Sequence, residues 1–218
     1  SRQPGAEIKP MPREQTVLAP KSLSLRKIIA IGTSTGGPKA LQEVIPLIPG
    51  DIPAAVLIVQ HMPPGFTRSL AERLDSLSEL TVKEAEDGED VKPGYAYIAP
   101  GDYHMLVNRQ RDGGLKISLS HDPPVNGHRP SVDMMMNSVS NLGINDIIAV
   151  IMTGMGGDGS GGVKRIKEIN RGFVIAQDEK TCVVYGMPRM AVQTGAVDSI
   201  VPLNEIADEI IKNLGVDI

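Results

Sequence analysis

Continuous apolar runs alternate with amphipathic segments along most of this chain, and that alternation restricts what it can fold into. Ile28–Ile31, Ala54–Gln60, Asp146–Met152 and Phe173–Ala176 are apolar almost throughout, as strands are when both faces of a sheet are covered. Between and after them lie segments of helical period. Lys39–Ile48 carries Leu41, Val44, Ile45 and Ile48, and Phe66–Leu77 carries Phe66, Leu70, Leu74 and Leu77 on one stripe. Ser131–Leu142 turns Val132, Met135, Met136 and Val139 inward behind a Ser131 cap. Gly159–Asn170, Pro188–Thr194 and Leu203–Leu214 continue the series, the last after a short strand at Ser199–Pro202. The pattern predicts an α/β fold: a doubly wound, mostly parallel sheet with helices on both faces. Residues 81–120 break the rhythm. Their short runs, Thr81–Ala85, Tyr95–Ala99, His104–Val107 and Leu115–Leu119, are separated by Pro-Gly and Asp-Gly-Gly turns, and read as an antiparallel hairpin excursion.

With 218 residues, 41% of them hydrophobic and 22% charged, the chain has the length and composition of one globular domain. Residues 1–24 hold Pro4, Pro10, Pro12 and Pro20 among scattered charges and read as a linker or extended arm, leaving 25–218 as the folded unit. The chain starts with Ser1, which fits a piece excised from something longer. The absence of Trp, the two Phe and a net charge of −4 without a basic block argue against a nucleic-acid partner. Cys182 has no second cysteine to pair with and fits a reducing, cytoplasmic setting. No apolar run reaches the roughly 18–20 residues of a membrane span.

The first strand breaks into Gly32-Thr33-Ser34-Thr35-Gly36. A serine between glycines at a strand-to-helix corner is pushed out where it can act as a nucleophile. The same loop could cradle an anion on its N–H groups, or simply make a tight turn. Two further residues fall at strand ends by independent reading: His61 after the second strand, and Asp158 in Thr153-Gly154-Met155-Gly156-Gly157-Asp158. In an open parallel sheet, ligands bind at the carboxyl ends of the strands. Taken singly, His61 reads as a backbone-bonded histidine and Asp158 as a helix cap. Taken together with Ser34 they supply a nucleophile, a base and a carboxylate to orient the base. The Ser, His, Asp order differs from that of the α/β-hydrolases. The N–H groups around Met155-Gly156-Gly157, with the N–H or hydroxyl of Thr35, could form an oxyanion hole. Asp102, His104, His121 and His128 lack metal-ligand spacing, and no metal is expected. Cys182 reads as a packed thiol.

Five motifs in sequence then resemble one family. Ile31–Gly37, Gln60-His61-Met62-Pro63, His128-Arg129-Pro130-Ser131-Val132-Asp133, Thr153–Gly159 and Gln177-Asp178-Glu179-x-Thr181-Cys182 are similar to the catalytic domain of the chemotaxis protein-glutamate methylesterases, over about residues 26–214. The resemblance implies Ser34 as nucleophile, His61 as base, Asp158 as its orienter, and Met155 and Thr35 at the oxyanion. It implies hydrolysis of glutamate methyl esters, with release of methanol, and deamidation of some glutamines on the cytoplasmic helices of chemoreceptors. No metal or organic cofactor is implied. Members usually begin with a phosphoacceptor receiver domain that covers the active-site face. Nothing in residues 1–24 resembles one, which makes that stretch the expected tail of the joining linker.

Overall fold

The structure, a computed structural model, describes residues 25–215; the expected linker at 1–24 lies outside them. Nine strands and six helices follow in the order β1 (Lys27–Thr33), α1 (Gly37–Val44), β2 (Ala54–Gln60), α2 (Phe66–Asp75), β3 (Thr81–Glu84), β4 (Tyr95–Ile98), β5 (His104–Arg109), β6 (Leu115–Ser120), α3 (Val132–Ser140), β7 (Ile147–Ile151), α4 (Ser160–Asn170), β8 (Phe173–Gln177), α5 (Met187–Gln193), β9 (Ser199–Val201) and α6 (Ile206–Leu214). Seven strands form one sheet in the order β3-β4-β2-β1-β7-β8-β9, and every pairing in it is parallel. Strand order reverses at β1, which pairs with β2 on one side and β7 on the other. This junction is where a doubly wound sheet opens a crevice at its carboxyl edge.

The two-residue side-chain period of the strands divides the core. Ile29, Ile31, Val56 and Ile58 pack under α1, α2 and α6. Ile28, Ala30, Ala55 and Leu57 pack under α3, α4 and α5. Both faces are dry, which accounts for the absence of a polar face in β1, β2 and β7.

The structure narrows the antiparallel excursion to β5 and β6. The runs at 81–85 and 95–99 instead give β3 and β4, a parallel pair on the edge of the main sheet. Ala96, Tyr97 and Ile98 are buried on both faces, a pattern a half-exposed hairpin strand would not show. The segment between β3 and β4 crosses over along β6. Gly88 N–H donates to the Ile117 carbonyl and Val91 N–H to that of Leu115. The β5–β6 hairpin then packs Met105, Val107, Leu115 and Ile117 into the α3 layer.

Helix ends differ from the sequence reading for identifiable reasons. The helix at 39–48 stops at Val44 and tightens into a 3₁₀ turn over Ile45–Leu47, because Pro46 lacks an N–H and its ring crowds the preceding turn. The stripe on α2 consists of Thr67, Leu70, Ala71 and Leu74; Phe66 and Leu77, expected inside, are 61% and 41% exposed. Among the described residues no helix is long and apolar enough to cross a membrane.

Helix α3 approaches the sheet closely at Gly32, which faces Val132 at the start of that helix. A Cβ at Gly32 would meet Val132 Cγ1 and, at 2.8 Å, Cγ2. Val132 is β-branched and fully buried, so its methyls have little room to swing clear, and Gly32→Ala should lower stability by about 1–3 kcal/mol. Adding Val132→Ala should return part of that loss. Urea unfolding of the two single variants and the double checks both; additive losses would rule out this contact as the cause.

Candidate active site

Each strand at the switch point ends in a buried polar residue that ties down the loop beyond it. Thr33, Gln60, Thr153 and Gln177 are all buried at or just past the ends of β1, β2, β7 and β8. Thr33 Oγ1 donates to Gln60 Oε1. Gln60 Nε2 donates to the carbonyls of Ser34, at 3.0 Å, and His61, at 3.1 Å. Thr153 Oγ1 donates to the Thr35 carbonyl at 2.9 Å and accepts from the N–H groups of Val183 and Val184. Gln177 Oε1 accepts from Thr153 N–H at 2.8 Å. The corner carrying Ser34 is therefore held from both sides of β1. Its exit requires Gly36, which has φ +83° and caps α1; a side chain there would also strike Val183.

Ser34 and His61 emerge side by side, one residue beyond the paired Thr33 and Gln60, and the His61 N–H donates to the Thr33 carbonyl. His61 Nε2 lies 2.8 Å from Asp158 Oδ2, and the two side chains are 9% and 0% exposed. A contact from a residue after β2 to one after β7 must pass over the end of β1, where Ser34 stands. Because the carboxylate can only accept, the His61 proton sits on Nε2 and the lone pair on Nδ1. Nδ1 is buried and has no protein partner. No hydrogen bond joins it to Ser34 Oγ among the described residues, as is common before a substrate is bound.

Asp158 does not cap its own helix α4, whose cap is Gly159. Its carboxylate lies instead at the N-terminus of α3. Oδ2 accepts from Val132 N–H at 2.7 Å as well as from His61, and Oδ1 accepts from Ser131 Oγ at 2.8 Å and Asp133 N–H at 3.0 Å. The helix-cap reading of Asp158, which names no helix, is met at α3 rather than at the helix that follows it in sequence. In return, Asp133 on α3 reaches the first turn of α4, accepting from Gly162 N–H at 2.6 Å. Each helix is held at its N-terminus by a carboxylate from beside the other.

The two carboxyls differ in consequence. Burial pushes the Asp158 carboxyl up, but donors from His61, Asp133, Val132 and Ser131 outweigh it and hold its pKa below the ordinary carboxylate value. Burial dominates at Asp133 and, with the charge of Asp158 nearby, raises its pKa.

The remaining candidates sit as follows. Met155 and Gly156 lie in the exposed turn after β7, with Met155 70% exposed. Neither the Met155 nor the Thr35 N–H donates within the protein among the described residues. The structure does not gather Asp102, His104 and His121 around a common point. Arg129 holds Asp102, His104 bonds the Pro123 carbonyl and the Ser131 N–H, and His121 packs on Tyr103. Burial pushes the Cys182 thiol up to about 11, consistent with a packed, unreactive group. The motifs contain Gln60 and Asp133 without indicating their roles, Ser131 is legible only as a cap and not as a donor to Asp158, and nothing in them indicates that His128 stacks on His61. A short polar residue closing an apolar strand was the signal available for Gln60.

Comparison with known proteins finds similarity to one family. A family model described as CheB methylesterase matches residues 29–210. A protein-glutamate methylesterase/protein-glutamine glutaminase of Syntrophomonas wolfei is 54% identical over 209 residues, covering 92% of this chain and 59% of its own length. The Salmonella typhimurium protein of the same description is 47% identical, covering 96% and 59%. The crystal structure of the Thermotoga maritima CheB methylesterase catalytic domain superposes with a TM-score of 0.83 at 48% identity, over 87% of this chain and 98% of that one. The chain spans somewhat over half the length of the curated relatives it matches.

Asp158→Asn replaces an oxygen that accepts two donors with an amide NH₂ that confronts them, so stability at pH 7 should fall by about 2–4 kcal/mol. The folded pKa of Asp158 is depressed. Its stabilisation is therefore complete above the unfolded carboxyl value of about 3.9 and is lost as pH falls through the lower folded value. Urea unfolding of both proteins should show a gap that is full near neutrality and narrows in acid. A gap that widened in acid would contradict the assignment.

Proposed function

The chain belongs to the CheB methylesterase family, and on that premise we propose that it is a serine hydrolase that removes methyl esters from receptor glutamates. One observation carries the reading: the His61–Asp158 pair spans the end of β1 beside Ser34, with the Nδ1 lone pair free. In the proposed reaction Ser34 Oγ attacks the ester carbonyl as His61 Nδ1 takes its proton, and Asp158 stabilises the imidazolium. The N–H groups of Met155 and Thr35 receive the oxyanion. Collapse breaks the C–OCH₃ bond, and the proton on His61 leaves with methanol. Water, deprotonated by His61, then opens the acyl-serine to give free glutamate and restore the hydroxyl. A glutamine side chain follows the same route and releases ammonia.

A protein substrate fits the exterior. Met155 and Val183, 70% and 66% exposed, present apolar surface beside the nucleophile. The cleft next to His61, lined by Met62, Pro63, His128 and Arg129, is open rather than enclosed. The same reading assigns the cytoplasmic helices of chemoreceptors as partners and the cytoplasm as the place of action. In a full-length protein it also assigns an N-terminal receiver domain that controls access.

Methanol release from methyl-labelled chemoreceptor tests this. Ser34→Ala and His61→Ala should each lower turnover by about 10⁴–10⁶-fold while remaining folded. Asp158→Asn should lower it by about 10³–10⁴-fold. Equal release by the parent and a folded Ser34→Ala variant would remove the serine from the mechanism.

A further inference from the structure

His128 lies in the loop between β6 and α3, and its ring is parallel to that of His61, with centroids 3.8 Å apart and planes 7° from parallel. Its backbone is fixed by a two-way exchange with Val125. The neighbouring Arg129 grips Asp102 and the carbonyls of His121 and Asp122. The loop is thus braced, while the His128 ring makes no side-chain hydrogen bond among the described residues. Its specific contact is the stack on His61.

That contact answers a mechanical need. An imidazole anchored at Cβ and, through Nε2, at Asp158 keeps one rotation, about the line joining those two points. That rotation swings Nδ1 out of the plane that leads to Ser34. A ring stacked against the imidazole face blocks it. We propose that His128 is a positioning residue for the hydrolytic reaction: its ring is the platform that holds His61 in line between Asp158 and Ser34 and supports the imidazolium face once His61 carries the proton. The inference rests on His61 being the base of the proposed esterase.

The charges around His128 fit this role. Burial, and then the charge of His61 across the stack, lower its pKa below the ordinary histidine value, with Asp158 opposing them from behind His61. Arg129 is engaged by Asp102. His128 is therefore neutral at neutral pH, when a neutral π-face favours a cation on the neighbouring ring. In acid its protonation places a second cation against His61, opposing the imidazolium that the reaction forms.

The test compares the parent chain with His128→Ala, His128→Leu and His128→Phe on methyl-labelled chemoreceptor from about pH 5.5 to 8.5. Losing the stack should lower kcat by about three- to tenfold in the Ala and Leu variants, with KM unchanged. The Phe variant, which keeps a ring face, should recover the parental kcat. Only the parent carries His128, so the parent should lose rate more steeply than the Phe variant as the pH is lowered. Proton NMR supplies a readout that needs no turnover: the ring-current shift of the His61 protons should persist with Phe and vanish with Ala and Leu. Parental rates in all variants, or a Phe variant as slow as Ala, would overturn the proposal. If the parent shows no esterase turnover, the functional reading fails instead, and the stack is then judged by the His61 resonances alone. Resonances unmoved by His128→Ala would refute it.

Discussion

The carboxylate of Asp158 is the constraint on which the rest of this molecule turns. It is fully buried, and a buried charge without partners would cost more than the fold could sustain. Four donors satisfy it, three from the N-terminus of α3 and one from His61. Satisfying it fixes α3 against the turn after β7, fixes the tautomer of His61, and draws the His61 ring across the end of β1. Fold and site share these bonds, so neither can be loosened alone. The reciprocal contact of Asp133 with α4 closes the arrangement, since α4 begins directly after the loop that carries Asp158.

A second tier of polar groups makes the crevice rigid. Thr33, Gln60, Thr153 and Gln177 sit where parallel strands run out of ladder partners and the chain must turn. Backbone groups buried at such turns need acceptors and donors that the sheet no longer supplies. These four side chains provide them, and in doing so they fix Ser34, Thr35 and the 183–184 segment relative to one another. Their hydrogen bonds explain how a half-buried serine at a loop corner keeps one position.

Much of this is legible in the amino-acid sequence. The apolar runs at 28–31, 54–60 and 146–152 gave the parallel sheet because both of their faces are buried, and hydrophobicity registers burial directly. Ser131 was legible as a cap because capping is a local interaction. The strands at 81–84 and 95–98 were misassigned because turn residues announce a reversal of chain direction without naming the next partner. Here the partner is a long-range one across a crossover. Phe66 and Leu77 were placed inside because helical period reports a stripe but not its limits. The site residues were legible as types at strand ends. That Asp158 caps α3 rather than α4, and that His128 lies on His61, depends on how loops distant in sequence meet. No local pattern encodes that.

The distribution of solvent bears on the proposed chemistry. His61 and Asp158 are already dry in the free protein, so the charge pair formed on proton transfer needs little new desolvation. Thr35, by contrast, stands at the open rim, and Ser34 beside it is only half-buried. On the proposed reading, the part of the site that must exclude water is therefore the part the substrate itself covers. A chemoreceptor helix laid across Met155 and Val183 would bury their apolar surface while sealing the nucleophile. Binding and water exclusion then become one event, and an ester on a free small molecule, lacking the surrounding helix, would leave the rim wet. On the proposed reading this asymmetry, a buried carboxylate behind the base and an open rim before the nucleophile, is what favours a macromolecular substrate over a small one.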